Sequence, residues 1–197
     1  MKSYKKNCLG CASHLLELID DYSKYLRITS DSKPFKKNGT LYICNSCGLV
    51  QKEVNKIFLK DIESIYKNYM PYEIANQNEQ KSLNETNNFT LRSDILITKI
   101  LEYSEESSDR NSSKKILDIG CSYGNTLSSF NRYFESPELY GLDLDDKNLL
   151  TLKKIENFKK LYNDLSEIDS SFNFISMVHT FEHILDPLNY LYSLKKY

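Results

Sequence analysis

Apolar and polar positions follow two regimes along this chain, and the change falls near residue 113. In the first regime, over residues 1–57, the apolar pieces are short and extended. Leu41–Cys44 and Leu49–Gln51 read as strands around a tight turn, and Asn38 and Gly39 give a turn signal just before them. Residues 58–105 then carry apolar residues at helical spacing. Leu59, Ile62, Ile65 and Tyr66 form one row; Leu91, Ile95, Thr98 and Leu101 form another, flanked by Leu96 and Ile100. The Asn/Gln/Glu-rich stretch 76–88 between them reads as loop. Residues 104–113, SEESSDRNSS, contain no apolar residue and read as a linker.

From residue 115 the pattern alternates between strand and helix. Strands are expected at Lys115–Ile119, Leu139–Leu144, Phe158–Tyr162 and Phe172–Val178, and helices at Asn125–Phe134 and Asp145–Glu156. Asp186 followed by Pro187 is an N-cap with proline at the first helical position, so a last helix is expected to run on from there. Alternation of this kind implies a parallel sheet with right-handed crossovers. The division expected is residues 1–57, a connector 58–105, and an α/β domain 106–197.

Composition narrows the classes. Hydrophobic residues are 40% and charged residues 27% of 197, which fits a globular protein. A net charge of −1 argues against nucleic acid or a membrane surface as partner. The lysine pairs are short and scattered among acids, as on solvated faces. No apolar stretch follows the basic N-terminus and no run approaches a membrane span, so the expected compartment is the cytoplasm. There the five cysteines should be reduced.

Four of those cysteines stand in two CxxC pairs, Cys8 with Cys11 and Cys44 with Cys47. Two intervening residues let one turn aim both sulfurs at one metal, and two such turns supply a tetrahedral structural zinc site with no open position. Gly48 after Cys47 suits the left-handed backbone such turns need; Ala12 holds the matching place after Cys11. The 32 residues between Cys11 and Cys44 must fold in their own right. His14 could also be a ligand, but four thiolates already complete the set. Neither pair opens a helix beside a βαβ unit, as a redox pair would.

The most informative chemistry is Leu117–Gly124, LDIGCSYG. A buried strand ends at Asp118, and the small residues Gly120, Ser122 and Gly124 follow at alternate positions. Small residues let the backbone turn sharply and approach a ligand, and the next helix presents free amides. Asp143 ends the next strand, 25 positions after Asp118, where an acid can accept hydrogen bonds from both hydroxyls of a ribose. A dinucleotide fingerprint would be GxGxxG; here Ser122 and Asn125 replace its second and third glycines. S-adenosylmethionine, which has no phosphate to cradle, fits better. Cys121 inside the loop reads as a small buried filler, with no base placed to activate it.

LDIGCSYGNTL, ELYGLDLD and FNFISMVHTFEHILDPLNYL, in this order, resemble the first, second and fourth motifs of class I S-adenosylmethionine-dependent methyltransferases, over residues 114–196. The resemblance implies that Asp118, Gly120, Ser122 and Gly124 line the cofactor loop and that Asp143 binds the ribose. It also puts Asp164 beside the adenine and His179 near the transferable methyl. The N-terminal half, with CxxC, a long gap, CNSCGLVQ and IYKNYMPYE, is similar to the zinc-binding domain of sugar C-methyltransferases. That likeness implies a nucleotide-sugar or glycan-precursor acceptor, His183 as the base removing an α-proton, and Glu182 as its neighbour. Tyr69 and Tyr72 fall in the tyrosine-containing stretch of that family. Thr180 stands where those enzymes carry a tyrosine, which leaves O-methylation open.

The fold expected is an incomplete Rossmann-like sheet, strand order 3-2-1-4, where the family has seven strands. The fourth strand would then be an apolar edge. Either the chain is a fragment, or a second chain completes the sheet. The competing readings are an inactive zinc-stabilised binding module, a nicotinamide-dependent enzyme, and a zinc-ribbon nucleic-acid binder.

Overall fold

The computed structural model describes residues 7–29, 31–68, 79–85, 87–103 and 113–197. Tyr69, Tyr72 and nearly all of the linker lie outside them. The chain divides into two compact units, Met1–Asn76 with Leu185–Tyr192, and Gln77–Ile184 with Ser193–Tyr197. The two helices of the 58–105 segment fall in different units.

The first unit runs β1 (Leu16–Leu18), β2 (Arg27–Ile28), β3 (Pro34–Phe35), β4 (Leu41–Cys44), β5 (Val50–Lys52) and α1 (Lys56–Asn68). An antiparallel sheet has the order β1-β4-β5, and β2 pairs with β3 in a small hairpin. β1, β2, β3 and β4 are what folds between the first cysteine pair and the second. Helix α1 starts where Asn55 Oδ1 accepts the amides of Ile57 and Phe58, at 3.0 and 2.9 Å, an N-cap that satisfies two otherwise orphan donors. The helical row of α1 hides a polar anchor. Asp61 is buried, with ion pairs to Arg27 Nη2 at 2.7 Å and Lys36 Nζ at 2.6 Å. Burial would raise its pKa; the hydrogen bonds from Lys36 and Arg27 outweigh that and hold the carboxyl below its usual range.

The second unit runs β6 (Lys81–Leu83), β7 (Phe89–Leu91), α2 (Arg92–Tyr103), β8 (Lys115–Ile119), α3 (Asn125–Tyr133), β9 (Glu138–Leu142), α4 (Leu149–Leu152), β10 (Phe158–Tyr162) and β11 (Phe174–Ser176). A last helix, α5 (Pro187–Leu194), is shared with the first unit. The parallel sheet has the order β10-β9-β8-β11, the 3-2-1-4 arrangement expected. On one face Ile116 and Leu139 pack against Ile97 and Leu101 of α2 and Leu127 and Phe130 of α3. The Phe130, Phe134 and Phe174 rings meet there at 5.6–6.2 Å. On the other face Tyr140 stacks on Tyr162 at 6.1 Å and meets the edge of Phe172 at 5.3 Å. Asp94 of α2 accepts Ser129 Oγ at 2.7 Å and Arg132 Nε at 3.0 Å, which ties α2 to α3.

Three expectations need correction. The 76–88 stretch is not all loop: β6 pairs with β7, and Asn84 Oδ1 accepts the Asn88 amide at 2.9 Å to close the turn. Asn84, Asn87 and Asn88 are hairpin residues, and Asn87 turns left-handed at φ 59°. The helix over 145–156 is a single turn, 149–152. After it Lys154 and Ile155 donate to the carbonyls three residues back, at 3.1 and 3.0 Å, and Asn157 turns left-handed at φ 66°. The fourth strand pairs over only 174–176, because the chain leaves the sheet at a turn over 178–180. Asp186 does cap α5: its Oδ1 accepts the Asn189 amide at 3.3 Å, and its Oδ2 accepts Asn189 Nδ2 at 2.7 Å.

Candidate functional site

The crevice forms at the carboxyl ends of β8 and β11, where the strand order reverses and open α/β sheets bind ligands. β8 delivers Asp118, after which Gly120 and Ser122 both take left-handed backbone, at φ 75° and 46°. Gly124 repeats this at φ 80° and starts α3. An added Cβ on Gly124 would come within 2.4 Å of Ile155 Cδ1 and 2.7 Å of Leu152 Cδ2. The left-handed backbone favours glycine there, and any Cβ would also have to push aside the ends of the Leu152 and Ile155 side chains.

Asp143 closes the loop from the next strand. Its Oδ2 accepts the Ser122 amide at 2.8 Å and its Oδ1 accepts the Leu144 amide at 2.8 Å. The side chain is thereby held at the crevice, its carboxylate aimed at the loop the sequence singled out. Asn163, after β10, donates from Nδ2 to the Asp143 carbonyl at 3.1 Å. Asp164 is exposed and caps the turn 165–167, accepting Ser166 N at 2.8 Å and Ser166 Oγ at 2.6 Å. Those hydrogen bonds lower its pKa.

Asp118 is buried at 2% exposure, and Ser176 Oγ of β11 donates to its Oδ1 at 2.6 Å. Burial pushes the carboxyl up to about 7, against the hydrogen bonds of Ser176 and Thr126; the nearby Asp143 charge adds to the rise. Asp118 therefore faces protein on the strand floor, and its polar partners, Ser176 and Thr126, are ones that no sequence pattern marks. His179 is left-handed at φ 54° and exposed, with Nδ1 3.7 Å from Glu182 Oε1. Glu182 and His183 follow on the 3-10 turn 181–183, and both are exposed. Cys121 is buried, and burial raises its thiol pKa far above the ordinary value, in keeping with a packing role.

In the first unit the four Sγ atoms of Cys8, Cys11, Cys44 and Cys47 all lie within 4.8 Å of one another. Cys8 and Cys47 are 3.5 Å apart and Cys11 and Cys44 3.7 Å. A tetrahedral zinc with Zn–S of about 2.3 Å places its sulfurs about 3.8 Å apart, so the donor set fits that ion. The two turns are built alike. Ala12 N donates to Cys8 O at 2.9 Å and Gly48 N to Cys44 O at 2.8 Å; Cys8 N donates to Ser13 O and Cys44 N to Leu49 O. Ala12 is left-handed at φ 59° beside Gly48 at 75°, so the alanine accepts the strain its position demands. Burial opposes ionisation of Cys44, yet the backbone amides of Cys47 and Ser46 bring its thiol down to about 6.

A methyltransferase-domain family profile matches residues 89–197, more than half of the chain, and the chain belongs to that family. No curated protein sequence matches it. Among solved structures, the chain is similar to the plantazolicin methyltransferase BamL, solved with a triazolic desmethyl analogue and SAH. Identity is 22% over 53% of this chain and 41% of that one, with a TM-score of 0.44. A putative RNA methyltransferase from Pyrococcus horikoshii is 17% identical over 51% of this chain and 52% of that one, TM-score 0.41. CalS10, an amino pentose methyltransferase from Micromonospora echinaspora, is 14% identical over 53% and 45%, TM-score 0.43. This chain spans about half or less of the length of these three structures. Among the described residues no helix is long and apolar enough to cross a membrane.

Proposed function

We propose that the second unit binds S-adenosylmethionine at the β8–β11 crevice and that the protein transfers its methyl group to a nucleotide sugar or glycan precursor. The observation that carries the reading is the Asp143 carboxylate, seated on the Ser122 amide beside a left-handed Gly120–Gly124 loop in a chain of the methyltransferase family. When bound, the cofactor supplies an electrophilic methyl on a sulfonium. Asp143 would accept from the ribose hydroxyls, Asp164 would stand beside the adenine, and His179 would border the methyl. For a keto-sugar acceptor, His183 would take the proton from the carbon next to the ketone, with Glu182 as its neighbour; this favours C-methylation. The cysteine cluster would hold a structural zinc ion.

Calorimetric titration of the zinc-replete protein with S-adenosylhomocysteine, with NAD as control, tests this. Saturable binding of the first alone is expected. Asp143→Ala should weaken it by roughly tenfold or more, about 1.4 kcal/mol per decade. Absence of binding by folded protein would end the enzyme reading and leave an inactive zinc-stabilised module. If His183 is the base, His183→Gln should leave S-adenosylhomocysteine binding intact and abolish transfer of labelled methyl to a keto-sugar nucleotide.

A further inference from the structure

The residue over Gly120 is Thr180. A Cβ added to Gly120 would lie 2.1 Å from Thr180 Oγ1, 2.9 Å from its Cγ2 and 3.0 Å from its Cβ. The side chain therefore sits directly on the glycine. Thr180 is held there from both directions. It follows His179, whose left-handed φ of 54° turns the chain out of β11, and it caps the 3-10 turn 181–183, where its carbonyl accepts the His183 amide at 2.9 Å. Its own hydroxyl donates to the Val178 carbonyl at 3.3 Å, within the same turn. Below this contact Ser176 Oγ reaches Asp118 at 2.6 Å. The polar contact joins the two strands on the floor, and the close packing of Thr180 on Gly120 joins the loop after β8 to the segment after β11.

We propose that Thr180 is a positioning residue of the cofactor crevice. Its side chain, seated on Gly120, sets the separation between the loop 120–124 and the turn 179–183. This rests on the reading that the crevice holds S-adenosylmethionine. The role belongs to the shape of the side chain, because its hydroxyl is spent on its own turn. Gly120 is thereby constrained twice, by φ 75° and by Thr180, so a larger residue at 120 must push the Thr180 side chain aside.

The test is a set of variants titrated with S-adenosylhomocysteine, with folding followed by circular dichroism. Thr180→Val, which keeps the branched shape, should bind within about twofold of the parent, and Thr180→Ala about tenfold more weakly. Gly120→Ala should bind about a hundredfold more weakly, and Gly120→Ala with Thr180→Gly should recover about tenfold of that loss. A merely structural role would lower the melting temperature of Thr180→Ala and leave the affinity of the folded protein unchanged; that result overturns the proposal. So does a double variant no better than Gly120→Ala. A parent protein that binds no S-adenosylhomocysteine overturns the functional reading and this proposal together, whereas a binding parent with indifferent Thr180 variants removes this proposal alone.

Discussion

The two units are held together by different means. Among the described residues of 7–68, only Cys8, Cys44 and Asp61 are buried, and no leucine, isoleucine or phenylalanine is. The second unit buries Ile97, Leu101, Ile116, Leu117, Leu127, Phe130, Leu139 and Leu152 at 1% exposure or less. Each such side chain contributes roughly 1.5–3 kcal/mol when removed from water. Among its described residues the first unit has no comparable source; its ties are the Arg27–Asp61–Lys36 cluster and, with the proposed zinc bound, the four convergent thiolates. A small unit can substitute a few strong local ties for a core, but it then stands or falls with each tie.

The largest effect that would break this comparison is metal removal. A structural zinc contributes on the order of 10 kcal/mol or more. Chelation, or Cys44→Ser, should strip amide protection from β1, β4 and β5 in hydrogen exchange and leave the parallel sheet protected. Uniform loss in both units would show that they do not differ in this way. Next comes the core itself. Phe130→Ala should cost about 3–5 kcal/mol in urea unfolding of the second unit and leave the proposed zinc content unchanged.

The smallest effect sharpens the picture of the crevice floor. Asp118 has its pKa raised to about 7 in the folded chain, from the ordinary value of 3.8. Between those values the folded state holds a proton that the unfolded state has lost. Stability of the second unit should therefore fall as pH rises from about 4 to 7. Asp118→Asn keeps an acceptor for Ser176, carries no charge, and should flatten that slope. At pH 8 it should be the more stable protein by on the order of 1–3 kcal/mol. An unchanged slope would mean that Asp118 is ionised throughout.

Much of this architecture was legible in the chain. β8 and β10 fall at the ranges expected, α3 ends one residue short of its range, alternation implies the parallel sheet, and the strand order is the one the methyltransferase resemblance implies. Gly120, Ser122 and Gly124 stand out by size; positive φ explains the two glycines, while Ser122 takes it at φ 46° despite its Cβ. The 145–156 segment misled because its leucine and isoleucine recur at helical spacing, although they are held by a single turn pressed onto Gly124. The β6–β7 hairpin was missed because asparagine marks a turn as readily as a loop. Asp61 was missed because it breaks no apolar period; only Arg27 and Lys36, far away in sequence, make it a buried ion.

The sequence by itself determined the alternation of strand and helix, the two cysteine pairs and the loop that follows β8. Each is written in short spacings, where backbone geometry and side-chain size act locally. Only the tertiary structure decided that Ser176 bonds Asp118 and that Thr180 rests on Gly120. Those partners lie about sixty residues apart. Their meeting depends on the register of β8 against β11 and on one left-handed histidine, which no local pattern encodes.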